Sequence, residues 1–317
     1  MTLITLDDIQ QARQVIAGKL HRTPMLTASL LGDMLGVNLL FKAELFQKTG
    51  SYKPRGAINK LNSLTAEERA NGVVSMSAGN FAAGLAYAAS TMGVKATIVM
   101  PEAAVKGKVA ATRAYGATAL LHGVGKDLVP KAMELAEQQH LTFVHPFDDP
   151  MVIAGTGTVG LEILEDVPSP DFVFVPVGGG GLIAGVATAI KLLHPTTKVI
   201  GVEPTGAVKM LLSLQHHQAM AAEKLNTIAD GLAAPFAGKH TLEHVEQYVD
   251  EVVLVSDDEI KEAMLLIMER SKLFVEPSGA AGFAALLSHK VDVPAGSTVV
   301  CILSGGNIDR EKLKSIL

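Results

Sequence analysis

Lysine is the side chain that forms Schiff bases with aldehydes, and one lysine of this chain stands in a setting that would activate it. Lys53 lies within Glu44-Leu-Phe-Gln-Lys-Thr-Gly-Ser-Tyr-Lys-Pro-Arg-Gly-Ala57. Pro54 suits the first position of a helix, and its ring pushes the preceding residue out of the α region, so Lys53 is expected to end an extended segment at a helix mouth. A positive helix end and partial burial both disfavour the ammonium, which predicts a lowered pKa and more free amine at neutral pH. Taken alone, the same residue also reads as a surface lysine beside a turn.

A second chemistry is anion binding. Asp171-Phe-Val-Phe-Val-Pro-Val177 predicts a buried strand that runs into Gly178, Gly179, Gly180, Gly181 and Leu182, followed by an apolar helix from Ile183 to Leu193. Four glycines between a strand and a helix let backbone N–H groups converge on a phosphate. The cluster has neither the GxGxxG spacing of a dinucleotide fold nor the Gly-Lys-Ser/Thr ending of a P-loop, and a purely structural turn stays open. Two further polar loops are Ser77-Ala-Gly-Asn80 and Ser304-Gly-Gly-Asn307. Three glycine-bearing loops thus follow apolar runs that read as strands, and open α/β sheets bind ligands beyond such strand ends.

The elements that must position these loops alternate between strand and helix. Val73 to Met76, Lys95 to Met100 and Thr118 to Leu121 read as strands, separated by helices that stop near Gly93 and Gly116. A second series comprises Asp171 to Val177, Lys198 to Val202, Glu251 to Val255 and Thr298 to Leu303. Thr65-Ala-Glu-Glu68 and Ser256-Asp-Asp-Glu259 are capping boxes that open helices, the second running toward Ser271. Such alternation predicts an α/β fold with open, mainly parallel twisted sheets covered by helices.

Composition narrows the class. The 317 residues, 48% hydrophobic, suffice for a sizeable core in one large domain or two. A net charge of -5 without long basic runs argues against nucleic acid or an anionic membrane surface as partner. One cysteine permits no internal disulfide, no apolar run reaches the length of a membrane span, and the N-terminus lacks a secretory pattern. A cytoplasmic location is expected.

Taken together, Ser51-Tyr-Lys-Pro-Arg-Gly-Ala57, Ser77-Ala-Gly-Asn80, Gly178 to Gly181, Glu276-Pro-Ser-Gly-Ala280 and Ser304-Gly-Gly-Asn307 resemble, in order and over nearly the whole chain, the pyridoxal-phosphate enzymes of the tryptophan-synthase-β-like fold, fold type II. Within that group the chain resembles the threonine/serine dehydratase and serine racemase branch. The resemblance implies a large cofactor-binding domain from residues 1–67 and 149–317, with a small substrate-binding domain, 68–148, inserted in it. It implies pyridoxal 5'-phosphate held by Lys53, its phosphate on Gly178, Gly179, Gly180, Gly181 and Leu182, and its ring near Asn80, Glu276 and Ser304. Ser77, Ala78, Gly79 and Asn80 would hold the carboxylate of an amino-acid substrate, with Ser77 and the freed Lys53 in catalytic roles. A hydroxyl at Ser304 would hold the pyridine nitrogen less protonated than a carboxylate does, favouring loss of a β leaving group over transamination. Asp230-Gly231 also matches a family loop near the cofactor.

The implied reaction is β-elimination of water from L-threonine or L-serine, giving a 2-oxo acid and ammonia. Phenylserine or another bulky 3-hydroxy amino acid, and serine racemisation, are the near alternatives. A β-replacement enzyme is more distant, Arg55-Gly56 speaking against it, and so is a non-catalytic phosphometabolite-binding protein. The resemblance further implies a homodimer or higher homo-oligomer.

Two departures from the family pattern bear on chemistry. Cation-binding relatives use a glutamate matched by Glu203 with a carboxylate a few residues later, where this chain has Thr205-Gly-Ala-Val-Lys209; no metal site is expected, and Lys209 would supply charge instead. The racemase's second acid/base serine falls at Ala78, so efficient racemisation is not expected. No residues remain after Ser304 for a regulatory domain, and hyperbolic kinetics are expected. Cys301 reads as packed core, Met210 as core or interface, and the adjacent His216 and His217 as a solvated helix end.

Overall fold

The computed structural model describes residues 3–316. Ten strands form among them: β1 (Met25–Thr27), β2 (Asn38–Ala43), β3 (Val73–Met76), β4 (Ala96–Met100), β5 (Thr118–Leu121), β6 (Thr142–Phe143), β7 (Phe172–Pro176), β8 (Lys198–Pro204), β9 (Glu251–Val255) and β10 (Thr298–Leu303). They divide into a six-stranded sheet of order β1-β2-β10-β7-β8-β9 and a four-stranded sheet of order β5-β4-β3-β6. Only β1 runs antiparallel, against β2, with Leu26 opposite Phe41. In the middle of the large sheet Val300 faces Leu40 on one side and Val173 on the other.

Central strands read as continuous apolar runs because helices cover both faces. On one face Phe41, Phe174 and Phe283 pack together, Phe41 and Phe283 edge to face at 5.6 Å. On the other, Val173, Val175 and Ile302 meet Ile183, Val186 and Ile190 of the Gly181–Leu193 helix. The small sheet has its own core, where Ile98 and Met100 pack with Phe81 and Leu85. Ile58 and Leu61 of the Pro54–Asn62 helix join that second core although the helix leaves the large sheet, so the segment beginning at Lys53 bridges the two.

The strands expected from sequence form within two residues of their predicted limits. Both capping boxes close, Thr65 with Glu68 and Ser256 with Glu259. Gly93 ends the Asn80–Met92 helix in the left-handed conformation. Sequence reading missed β1, β2 and β6: β6 has two residues, and β2 is an apolar run interrupted by Lys42, whose partner lies far along the chain.

Candidate active site

The polar loops meet at the C-terminal ends of the strands. Ser77 follows β3, Gly178 follows β7 by two residues, and Ser304 follows β10 directly. They line one cavity of about 590 Å³ together with Lys53, Ala78, Gly79, Asn80, Gly179, Gly180, Gly181, Leu182, Asp230, Gly231, Glu276 and Ser278. Every residue proposed from the sequence as a site residue therefore borders the same space. It lies between the small sheet, which supplies Ser77, and the large one, which supplies the glycine loop.

Lys53 is placed at the helix mouth as expected, with Pro54 at the first helical position. Its backbone is not extended: φ −51° and ψ −38° are right-handed helical values. The expectation fails because a tight turn precedes the helix, Arg55 N–H donating to the Tyr52 carbonyl at 3.0 Å, and this rolls Lys53 into the α region despite Pro54. The turn is tied to the large sheet by Tyr52 N–H, which donates to the Ser304 carbonyl at 3.2 Å. The Lys53 ammonium lies 4.9 Å from the centre of the Tyr52 ring.

Two close helix approaches fix this segment. Gly84 touches Lys53, where an added Cβ would lie 2.9 Å from the lysine Cβ, and Gly155 abuts Arg55, with 2.5 Å to its carbonyl oxygen. Beneath Lys53, fully buried Arg55 is held by carboxylates on both sides. Its Nε and Nη2 donate to Glu44 at 2.8 Å, while Nη1 and Nη2 donate to Glu162 at 2.7 and 2.8 Å. Lys42 Nζ also donates to Glu162, at 2.6 Å, which leaves two cations balanced by two carboxylates. Burial works against the Arg55 charge, but Glu44 and Glu162 outweigh it and push its pKa up.

The glycine loop has the form of an anion cradle. Its carbonyls are used by the protein, Gly179's by the Thr241 hydroxyl at 2.7 Å and Gly181's by the Thr156 hydroxyl at 2.7 Å. Among the described residues no group accepts from the amides of Gly178 to Leu182. Side chains are excluded: a Cβ on Gly179 would run into the Phe147 ring, and Gly180 has φ +97°. Unpartnered N–H groups at the mouth of a 13-residue helix, with no room for a side chain, suit a phosphate. A phosphate-bearing aldehyde would thus find both an amine and an anion cradle in one cavity.

On the opposite wall, Ser77 Oγ accepts from Gly79 N–H at 3.1 Å, shaping the turn before the Asn80–Met92 helix. Asn80 is held at both ends, its amide donating to Glu276 Oε1 at 2.6 Å and its carbonyl accepting from Asn307 at 2.9 Å. Glu276 is buried, and its carboxyl is pushed up to about 7, first by loss of solvation and then by the charge of Asp230, with the Asn80 hydrogen bond opposing. Asp230 itself is paired with Lys108 at 2.8 Å and Lys312 at 3.3 Å.

Sequence reading missed Phe147 and Phe236, whose rings meet at a tilt of 57° with centroids 5.7 Å apart and border the cavity, and Lys108, which borders it from the small-sheet side. It also missed the partners of Arg55. A trace was present for one of these partners: Glu162 is the one charged residue between Pro150 and Leu164. Cys301 and Met210 are buried and His216 and His217 exposed, matching their readings. Among the described residues no three His, Cys, Asp or Glu side chains converge as metal ligands, and no helix is long and apolar enough to cross a membrane.

Residues 16–305 match the family described as pyridoxal-phosphate dependent enzymes. An L-threonine ammonia-lyase of Thermotoga maritima is 46% identical over 99% of this chain and 78% of that protein. A catabolic L-threonine dehydratase of Escherichia coli K12 is 43% identical over 99% of this chain and 96% of its own. The structure of maize serine racemase superposes with a TM-score of 0.95 at 38% identity, covering 99% of this chain and 97% of that one. The lysine, the glycine cradle and these likenesses converge, and the chain belongs to the pyridoxal-phosphate dependent enzyme family.

Proposed function

We propose that the chain is a pyridoxal-phosphate-dependent ammonia-lyase that removes water from L-threonine, and from L-serine, to release a 2-oxo acid and ammonia. The observation that carries this reading is the single cavity shared by the Lys53 amine and the unpartnered amides of the glycine loop. Bound there, the cofactor supplies an electron sink for the bonds at the substrate α carbon.

In this reading Lys53 holds the cofactor through its aldehyde carbon, and its freed amine takes the α proton. The amides of Gly178 to Leu182 hold the phosphate. Ser77 to Asn80 would orient the substrate carboxylate, Ser77 by its hydroxyl, and Ser304 would offer the cofactor ring a neutral hydroxyl. Asn80, gripped by Glu276 and Asn307, presents a fixed edge to the cofactor. Ala78 has no hydroxyl, so no second acid/base group is supplied on the opposite substrate face. Elimination therefore outruns racemisation, and D-serine should be a minor product on chiral chromatography.

A bulkier β substituent, as in phenylserine, is favoured as a second reading by the apolar walls that Phe81, Leu225 and Phe236 give the cavity. We further propose that residues 68–148 form a small substrate-binding domain inserted in a large cofactor-binding domain of residues 1–67 and 149–317, that the enzyme is a homodimer or higher homo-oligomer, and that it is cytoplasmic.

A 2-oxo acid assay on threonine, serine and phenylserine with added pyridoxal phosphate tests the substrate reading, and turnover of none of them would end it. Borohydride reduction of the loaded protein followed by peptide mapping should place the label on Lys53. A label at Lys106 or Lys108 would refute the assignment.

A further inference from the structure

A buried cation behind the glycine loop, Lys209, is not used by the proposed reaction. Its ammonium is fully buried, as is its partner Glu203, at 3.0 Å from Oε1. The ammonium also donates to the Ala207 carbonyl at 2.8 Å. Glu203 in turn accepts from the backbone N–H groups of Met210 and Leu211, each at 2.9 Å. A carboxylate and a carbonyl oxygen around one positive centre form the kind of donor set that hard inorganic cations take, and here a side chain fills it. Burial lowers the Lys209 pKa while Glu203 raises it, so the charge depends on that one partner.

The pair stands directly behind the cradle. Met210, the next residue, packs on the glycine loop so closely that a Cβ on Gly180 would lie 2.5 Å from its terminal methyl. Gly206, on the same turn, accepts from Asn226 N–H at 2.9 Å, and the chain beyond Asn226 leads to the cavity wall at Asp230. One ion pair thus pins two walls of the site.

We propose that Lys209 is a built-in cation, a positioning residue whose ammonium takes the place of an inorganic ion between Glu203 and the Ala207 carbonyl and so holds the glycine loop in shape. Wild-type protein needs no added cation, and truncating Lys209 opens a site for one.

Thermal unfolding of the cofactor-free protein, with pyridoxal phosphate titrated separately by absorbance, tests this. Wild type should melt at the same temperature in EDTA, magnesium chloride and ammonium chloride. Lys209→Met, which keeps volume but leaves Glu203 unpaired, should melt roughly 5–15 °C lower. It should also bind pyridoxal phosphate about tenfold more weakly, the size of ordinary coupling between neighbouring sites. Lys209→Ala removes a propylammonium fragment, so n-propylammonium should restore its melting temperature while the uncharged propan-1-ol does not. Should Lys209→Ala fail to fold, Lys209→Met with Glu203→Gln decides the matter, because the doubly neutral pair should be more stable than Lys209→Met alone. Wild-type stability in Lys209→Met, loss of wild-type stability in EDTA, equal rescue by the alcohol, or a double variant no better than the single would each overturn the proposal.

Discussion

A carboxyl group held near pH 7 gives the site a charge that depends on pH. One oxygen of Glu276 is taken by Asn80, and lost solvation with the nearby Asp230 charge keeps a proton on the group well above the ordinary 4.5. The native state then binds more protons than the unfolded chain between about pH 4.5 and 7, so stability is present below that window and is lost as pH rises through it. The full swing is about 3 kcal/mol. Glu276→Gln cannot titrate and should lack this slope, so the variant gains on wild type between pH 5 and pH 8 when the cofactor-free proteins are melted side by side. Parallel pH profiles would show that Glu276 ionises as an ordinary surface carboxylate does.

At the scale of the element, the Lys53 helix mouth is held more from below than by its own sequence. Pro54 alone would keep Lys53 out of the helical region; the turn closed on Tyr52, the packing of Gly84 and the buried Arg55 network hold it there. Breaking a balanced buried network leaves an unpaired charge, which costs about 3–5 kcal/mol, far more than the 0–1 kcal/mol of an exposed pair. Arg55→Met should therefore lower denaturant stability by that amount, and Arg55→Met with Glu44→Gln should recover part of it; a loss below about 1 kcal/mol would mean the network is dispensable. Gly179→Ala should weaken pyridoxal phosphate binding by displacing Phe147, measured by absorbance titration, and unchanged affinity would place the phosphate elsewhere. The loops were legible in the sequence because each carries its own turn and cap chemistry next to an apolar run. What Arg55, Asn80 and Glu276 touch was not, since their partners lie 11 to 227 residues away and no local pattern encodes such pairings.

The whole molecule raises the question of how the two sheets meet across the cavity. Seven of the strands were visible as apolar runs, yet sequence could not order them, because β10 inserts between β2 and β7 from the far end of the chain. Across the mouth of the cavity Lys108, from the Lys106–Ala114 helix on the small-sheet side, reaches Asp230 on the large-sheet side at 2.8 Å. Both side chains keep some contact with solvent, so the pair contributes at most about 1 kcal/mol to folding. The same energy applied to an equilibrium between open and closed lobes changes the closed-to-open ratio about fivefold. Lys108→Met should thus leave the melting temperature within about 3 °C of wild type. It should raise KM for the amino acid severalfold and speed amide exchange in residues 106–114. Lys312→Met removes the other partner of Asp230 from the large-sheet side and serves as the control, with KM and exchange in 106–114 unchanged. Equal KM in all three proteins would mean that the lobes are held by their packed cores alone and that Lys108 has no part in closing them over a substrate.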